Sequence, residues 1–78
     1  MKIIFTHHAE LKIRQRNIEK ELVKTTLEDP DFVTESHANR KRAYKKFIKN
    51  YLEVIFVYEQ GTIVVLTAHW VAKIKKTP

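Results

Sequence analysis

A chain of 78 residues has room for one domain and no more, and is expected to form a single unit over residues 1–78. With 44% hydrophobic and 31% charged residues, one Gly and two Pro, it has the composition of a folded protein and not of a disordered segment. Cysteine is absent, which excludes a disulfide framework and thiolate zinc sites, and the 15 Lys+Arg against 9 Asp+Glu (net +6) favour a polyanionic partner.

In chain order, Lys2–Phe5 reads as a short strand of β-branched and aromatic residues. Thr6 is placed to cap a helix over about 7–16. Asn17 then reads as a break and a second N-cap, with Glu19 and Glu21 in the first turn suiting the helix dipole. A second helix over about 18–28 buries Leu22, Val23 and Leu27. Asp29-Pro30 ends it, because a residue before proline is pushed out of helical geometry.

After Pro30 the period changes to alternation. Residues 31–35 are a strand, Ser36-His37-Ala38-Asn39 a loop, 40–48 a basic strand, and Lys49-Asn50 a tight turn. Residues 51–58 and 62–68 are the strongest strand signals, joined by Glu59-Gln60-Gly61, with the only glycine where a hairpin needs positive φ. Both strands are apolar on both faces and so are central and covered twice, by the helix pair and by the C-terminal segment or a partner. His69-Trp70 follows the last strand, and Lys73, Lys75 and Lys76 form a loose basic tail. The expected fold is α+β: a short strand, two helices, then a roughly four-stranded antiparallel sheet.

Charge is unevenly spread. Arg40, Lys41, Arg42, Lys45, Lys46 and Lys49 fall in a stretch without an acid, whereas Glu19, Glu21, Glu28, Asp29 and Asp31 cluster around the second helix. A basic strand of this kind either faces a polyanion or guards a solvated sheet edge. Arg40, Arg42, Tyr44 and Lys46 alternate onto one of its faces. With a tyrosine able to stack a base they make a candidate surface for single-stranded RNA, unless Tyr44 is a core residue.

On the first helix, His8, Lys12 and Arg16 stand at i, i+4 and i+8 and form one stripe at the edge of the core. Either Lys12 and Arg16 pair with acids such as Glu19 or Glu21 while His8 hydrogen-bonds near the first turn, or the stripe meets a phosphate. In the second reading His8, of a residue type with an ordinary pKa of about 6.5, is a general acid or base beside Arg and Lys. His69 is either a second acid/base group or RNA contact, or a solvated histidine. Trp70 caps the core or stacks a base. The four histidines invite a metal hypothesis, but neighbouring His7 and His8 point apart and no acidic cluster accompanies them, so no metal or cofactor is expected.

Phe5-Thr6-His7-His8-Ala9, Lys12, Arg16-Asn17-Ile18, Asp29-Pro30-Asp31, and the strands at 52–57 and 64–68 together resemble a bacterial and archaeal domain family of unknown function. Asn17 stands where that family prefers Gly, a change that left-handed geometry tolerates. The family looks like part of the larger group of barnase, EndoU, colicin-type and RelE-type ribonucleases, many of them toxins that cleave RNA without metal. The resemblance implies a metal-independent endoribonuclease, the toxin of a toxin–antitoxin pair, with a role for His8, Lys12, Arg16 and Thr67. It also implies RNA, including mRNA on the ribosome, and an acidic antitoxin as partners. The alternative is a non-catalytic RNA- or protein-binding module of the same fold.

A chain this small gains from a partner or a homodimer contact. No apolar run approaches the roughly 18 residues of a membrane span. The stretch before His7 is too short for a secretion signal, so a cytoplasmic protein without a membrane partner is expected.

Overall fold

The computed structural model describes residues 2–72. The basic tail at Lys73, Lys75 and Lys76 lies outside them, as does the C-terminal segment expected to cover the sheet. The elements are β1 (Lys2–Phe5), α1 (His7–Gln15), α2 (Lys20–Glu28), β2 (Phe32–Glu35), β3 (Lys41–Phe47), β4 (Asn50–Glu59) and β5 (Thr62–Val71). The fold is α+β, with one five-stranded sheet in the order β1-β5-β4-β3-β2. Strands β2 to β5 form the antiparallel meander that their hydrophobic alternation predicts. β1 adds to the far edge in parallel with β5, pairing Lys2 with Thr62 and Phe5 with Val65. Among the described residues no helix is long and apolar enough to cross a membrane.

Helix α1 begins at Thr6, whose Oγ1 accepts the Ala9 amide at 3.0 Å. It does not end as the sequence suggests. Asn17 is no N-cap for α2. It sits at φ 53°, donating its amide to Arg14 O, while the Ile18 amide reaches Ile13 O at 2.9 Å. These bonds make a Schellman stop, closed by contact between the apolar residues on its two sides. Ile13 and Ile18 are accordingly buried. α2 starts two residues later than expected, with Glu19 as a cap that makes no side-chain hydrogen bond.

The core lies between the helices and one sheet face. It holds Ala9, Ile13, Ile18, Val23, Leu27, Ala43, Leu52, Val54, Phe56, Ile63, Val65 and Ala68. Thr26 is buried with them, its hydroxyl donating to Leu22 O at 2.8 Å. Trp70 packs against this cluster and meets Phe47 edge-on, as a residue closing the core end. His69 and Trp70 do not follow the last strand, however. β5 continues through both to Val71.

The two tight hairpin turns, β3–β4 and β4–β5, both need positive φ. Gln60 and Gly61 supply it, at 50° and 80°, between paired Glu59 and Thr62. The β3–β4 turn is Ile48-Lys49 and not Lys49-Asn50, since Asn50 pairs with Phe47. Ile48 adopts φ 58° and is 93% exposed, an unfavourable conformation for a β-branched side chain that gains little packing in return. Ile48→Gly is therefore expected to stabilise the domain by about 1 kcal/mol, raising the thermal midpoint by roughly 4–8 °C. Differential scanning calorimetry checks this, and a lowered midpoint contradicts it.

Candidate functional site

The register of the sheet decides which of the singled-out residues can meet. Arg42, Ile55 and Thr67 form one cross-strand row on the face away from the core, and Tyr44, Glu53 and His69 form the next. Between β4 and β5 the pairing shifts. Ile55 faces Thr67 and Phe56 faces Val65, so Leu66 is left over as a β-bulge. A bulge re-aims side chains. Here Ile55, Leu66 and Thr67 all line one cavity of about 390 Å³, with Thr6, His8 and Arg40 as its other walls.

This cavity joins distant parts of the chain. Thr6 and His8 come from the start of α1, Arg40 from the turn before β3, and the floor from β4 and β5. Among the described residues no carboxylate lines it. The positive end of the α1 dipole, marked by the capping Thr6, is at its rim.

Arg16, two helical turns from His8, does not pair with Glu19 or Glu21. Its Nη1 donates to Ala68 O at 2.8 Å and to Thr67 Oγ1 at 3.2 Å. The guanidinium thus holds the C-terminal end of α1 to β5 beside a cavity-lining threonine. Lys12 lies between His8 and Arg16, about 6 Å along the helix from each. It is partly buried and makes no ion pair among the described residues.

The basic strand divides by face. Lys41 and Lys45 are matched by acids, Lys41 with Glu35 at 3.7 Å and Lys45 with Asp29 at 3.3 Å and Asp31 at 3.9 Å. Arg40, Arg42 and Lys46, on the other face, make no ion pair among the described residues. Arg42 is partly buried. Its Nη2 reaches Ser36 Oγ at 3.4 Å, and its Nε is buried without a hydrogen-bond partner. Among the described residues, then, no carboxylate lies within ion-pair distance of these three cations, and the nearby acid of this face, Glu53, is taken up by Tyr44 and His69.

Tyr44 is a core-like residue on this face, only 6% exposed, its ring stacked on Phe32 at 4.8 Å. A base has no open tyrosine face to stack on here. The Tyr44 hydroxyl instead donates to Glu53 Oε2, and His69 Nε2 sits against Glu53 Oε1. Sequence reasoning overlooked Glu53, although the cue existed. It is the one acid inside the apolar run from Leu52 to Tyr58, and a charge in a central strand needs a partner. Ile55 and Leu66 carried no such signal.

Burial, and then the hydrogen bond to Glu53, raise the Tyr44 phenol above its ordinary pKa of 10.0. Below pH 10 the phenol is protonated in both folded and unfolded chains. Above it the unfolded chain loses the proton first, so stability falls as pH climbs toward the raised folded value. Thermal midpoints between pH 8 and 11 are expected to decline less steeply in Tyr44→Phe than in the parent. Parallel declines count against the assignment.

Among the described residues no group of three or more His, Asp or Glu side chains is arranged to hold a metal ion. Comparison with curated proteins finds no match, and neither does comparison with solved structures. A family described as a domain of unknown function, DUF4258, matches residues 5–70, which include every wall of the cavity and the whole Tyr44–Glu53–His69 row, and the chain belongs to that family.

Proposed function

We propose that this domain is a metal-independent endoribonuclease acting on single-stranded RNA at the cavity between α1 and the β4–β5 bulge. The observation that carries the reading is the cavity's lining. A histidine, an arginine and two threonines surround an apolar floor, with a second arginine on Thr67 and no carboxylate among the described walls. Strand cleavage requires the ribose 2′-hydroxyl to lose a proton, the phosphate charge to be neutralised and the leaving 5′-oxygen to gain a proton. His8 supplies a proton-transfer group. Arg40, Lys12 and the remaining N–H groups of Arg16 supply positive charge, while Arg42 and Lys46 extend the cationic face along β3 for the flanking strand. The apolar floor of Ile55 and Leu66 suits the flat side of a base.

In this reading the protein is the toxin of a toxin–antitoxin pair, a role drawn from the family resemblance, and an acidic antitoxin would cover the same cationic face. The test is incubation of the purified protein with mixed-sequence RNA in EDTA. Fragments ending in 2′,3′-cyclic phosphate are expected, and intact RNA rejects the proposal. A second reading, a non-catalytic RNA- or protein-binding module, is favoured by one observation: Arg16 is tied to Ala68 O and Thr67, as a fold-holding residue would be. Salt-sensitive RNA binding without turnover selects it.

A further inference from the structure

A carboxylate in the middle strand of a sheet is costly to bury, and an apolar residue at the same position would usually be at least as stabilising. Glu53 is nevertheless only 8% exposed, in β4, with both oxygens engaged: Oε2 by the Tyr44 hydroxyl and Oε1 by His69 Nε2. The three residues are cross-strand neighbours from β3, β4 and β5, so the sheet register itself aligns them. The row has one open end. The His69 side chain is 36% exposed, whereas that of Glu53 is 10% exposed.

That open end adjoins the cavity. Thr67 and Ile55 line it, and His69 and Glu53 stand two residues further along the same two strands, on the same face. The spacing is about 7 Å. A carboxylate that accepts the Nε2 hydrogen fixes the imidazole's tautomer and ring orientation, leaving Nδ1 as the nitrogen that takes a proton. Positive charge that develops on the ring is then compensated by Glu53, and Tyr44 keeps Glu53 from turning away.

We propose that His69 is the second proton-transfer group of the site, acting as general base through Nδ1, with Glu53 and Tyr44 as its positioning residues. The inference rests on the endoribonuclease reading and supplies the group that one histidine lacks. His69 Nδ1 takes the 2′-hydroxyl proton as O2′ forms its bond to phosphorus. The P–O5′ bond breaks, its electron pair goes to O5′, and His8 gives O5′ a proton. The products are a 2′,3′-cyclic phosphate and a free 5′-hydroxyl, with no water consumed. Proton exchange with solvent restores both histidines.

The experiment compares single-stranded RNA with uridine 3′-(p-nitrophenyl phosphate), whose leaving group departs without protonation. Parent protein, His69→Ala, His69→Gln and Glu53→Gln are assayed in EDTA. His69→Gln keeps an N–H donor for Glu53 but takes up no proton, which separates chemistry from folding. Both His69 variants are expected to lose about 10²-fold or more on both substrates. Glu53→Gln is expected to lower kcat about tenfold or more with KM unchanged. Full activity of His69→Gln on both substrates overturns the assignment and leaves the nuclease reading standing. A loss confined to RNA also overturns it, since that is the signature of an acid. If the parent cleaves neither substrate, the nuclease reading falls and this inference falls with it.

Discussion

His8→Ala is expected to lower RNA cleavage by about 10²–10⁴-fold while leaving the fold intact. The side chain is exposed in the first turn of α1 and lines the cavity, and the turn is held by the Thr6 cap and not by the imidazole. Its loss therefore removes a proton-transfer group without touching the core. If His8 protonates the departing oxygen, the defect shrinks toward parental rates on the p-nitrophenyl ester, because that leaving group is already stable as an anion. An equal defect on both substrates would move His8 to the base role. Undiminished RNA cleavage would remove it from the chemistry altogether. Far-ultraviolet circular dichroism and the thermal midpoint provide the control, and both are expected to match the parent.

Leu52→Ala is expected to cost about 2–5 kcal/mol, the largest stability loss of any single change considered. Leu52 is fully buried on the helix-facing side of β4, the middle strand, between Lys45 of β3 and Trp70 of β5. Folded domains hold roughly 0.05–0.15 kcal/mol per residue. For 78 residues that is about 4–12 kcal/mol, so this truncation takes roughly a sixth of the total at the least. Urea unfolding monitored by Trp70 fluorescence measures it. A midpoint shift worth less than about 1 kcal/mol would mean that the helices do not close over β4 as described.

Local signals in the chain predicted its elements well where propensity and tertiary context agree. The β4–β5 hairpin was legible because alternating apolar residues flank Gln60-Gly61, whose positive φ angles are what a two-residue turn demands. The β3–β4 turn was misplaced by one residue for the converse reason. Lys49-Asn50 looks like a turn, while the register puts a β-branched Ile48 there against its preference. Asn17 carried two compatible signals, cap and left-handed stop, and the contact between Ile13 and Ile18 chose the second.

The site was half legible. Helical spacing put His8, Lys12 and Arg16 in one stripe, but that Arg16 would find the Ala68 carbonyl depends on α1 lying against β5. The bulge at Leu66 and the row joining Tyr44, Glu53 and His69 depend on strand register. Register across three strands has no signature in one sequence, and only the buried acid hinted at it.

The pairing of β1 with β5 has a bearing on biosynthesis. The first strand's neighbour leaves the ribosome some sixty residues later, and such remote contacts form late in folding. A nascent polypeptide that has not yet reached Thr62 has the α1 histidine but neither Leu66 nor Thr67, so the cavity does not exist. On the proposed ribonuclease reading, the site is therefore absent from the nascent chain until β5 has been synthesised.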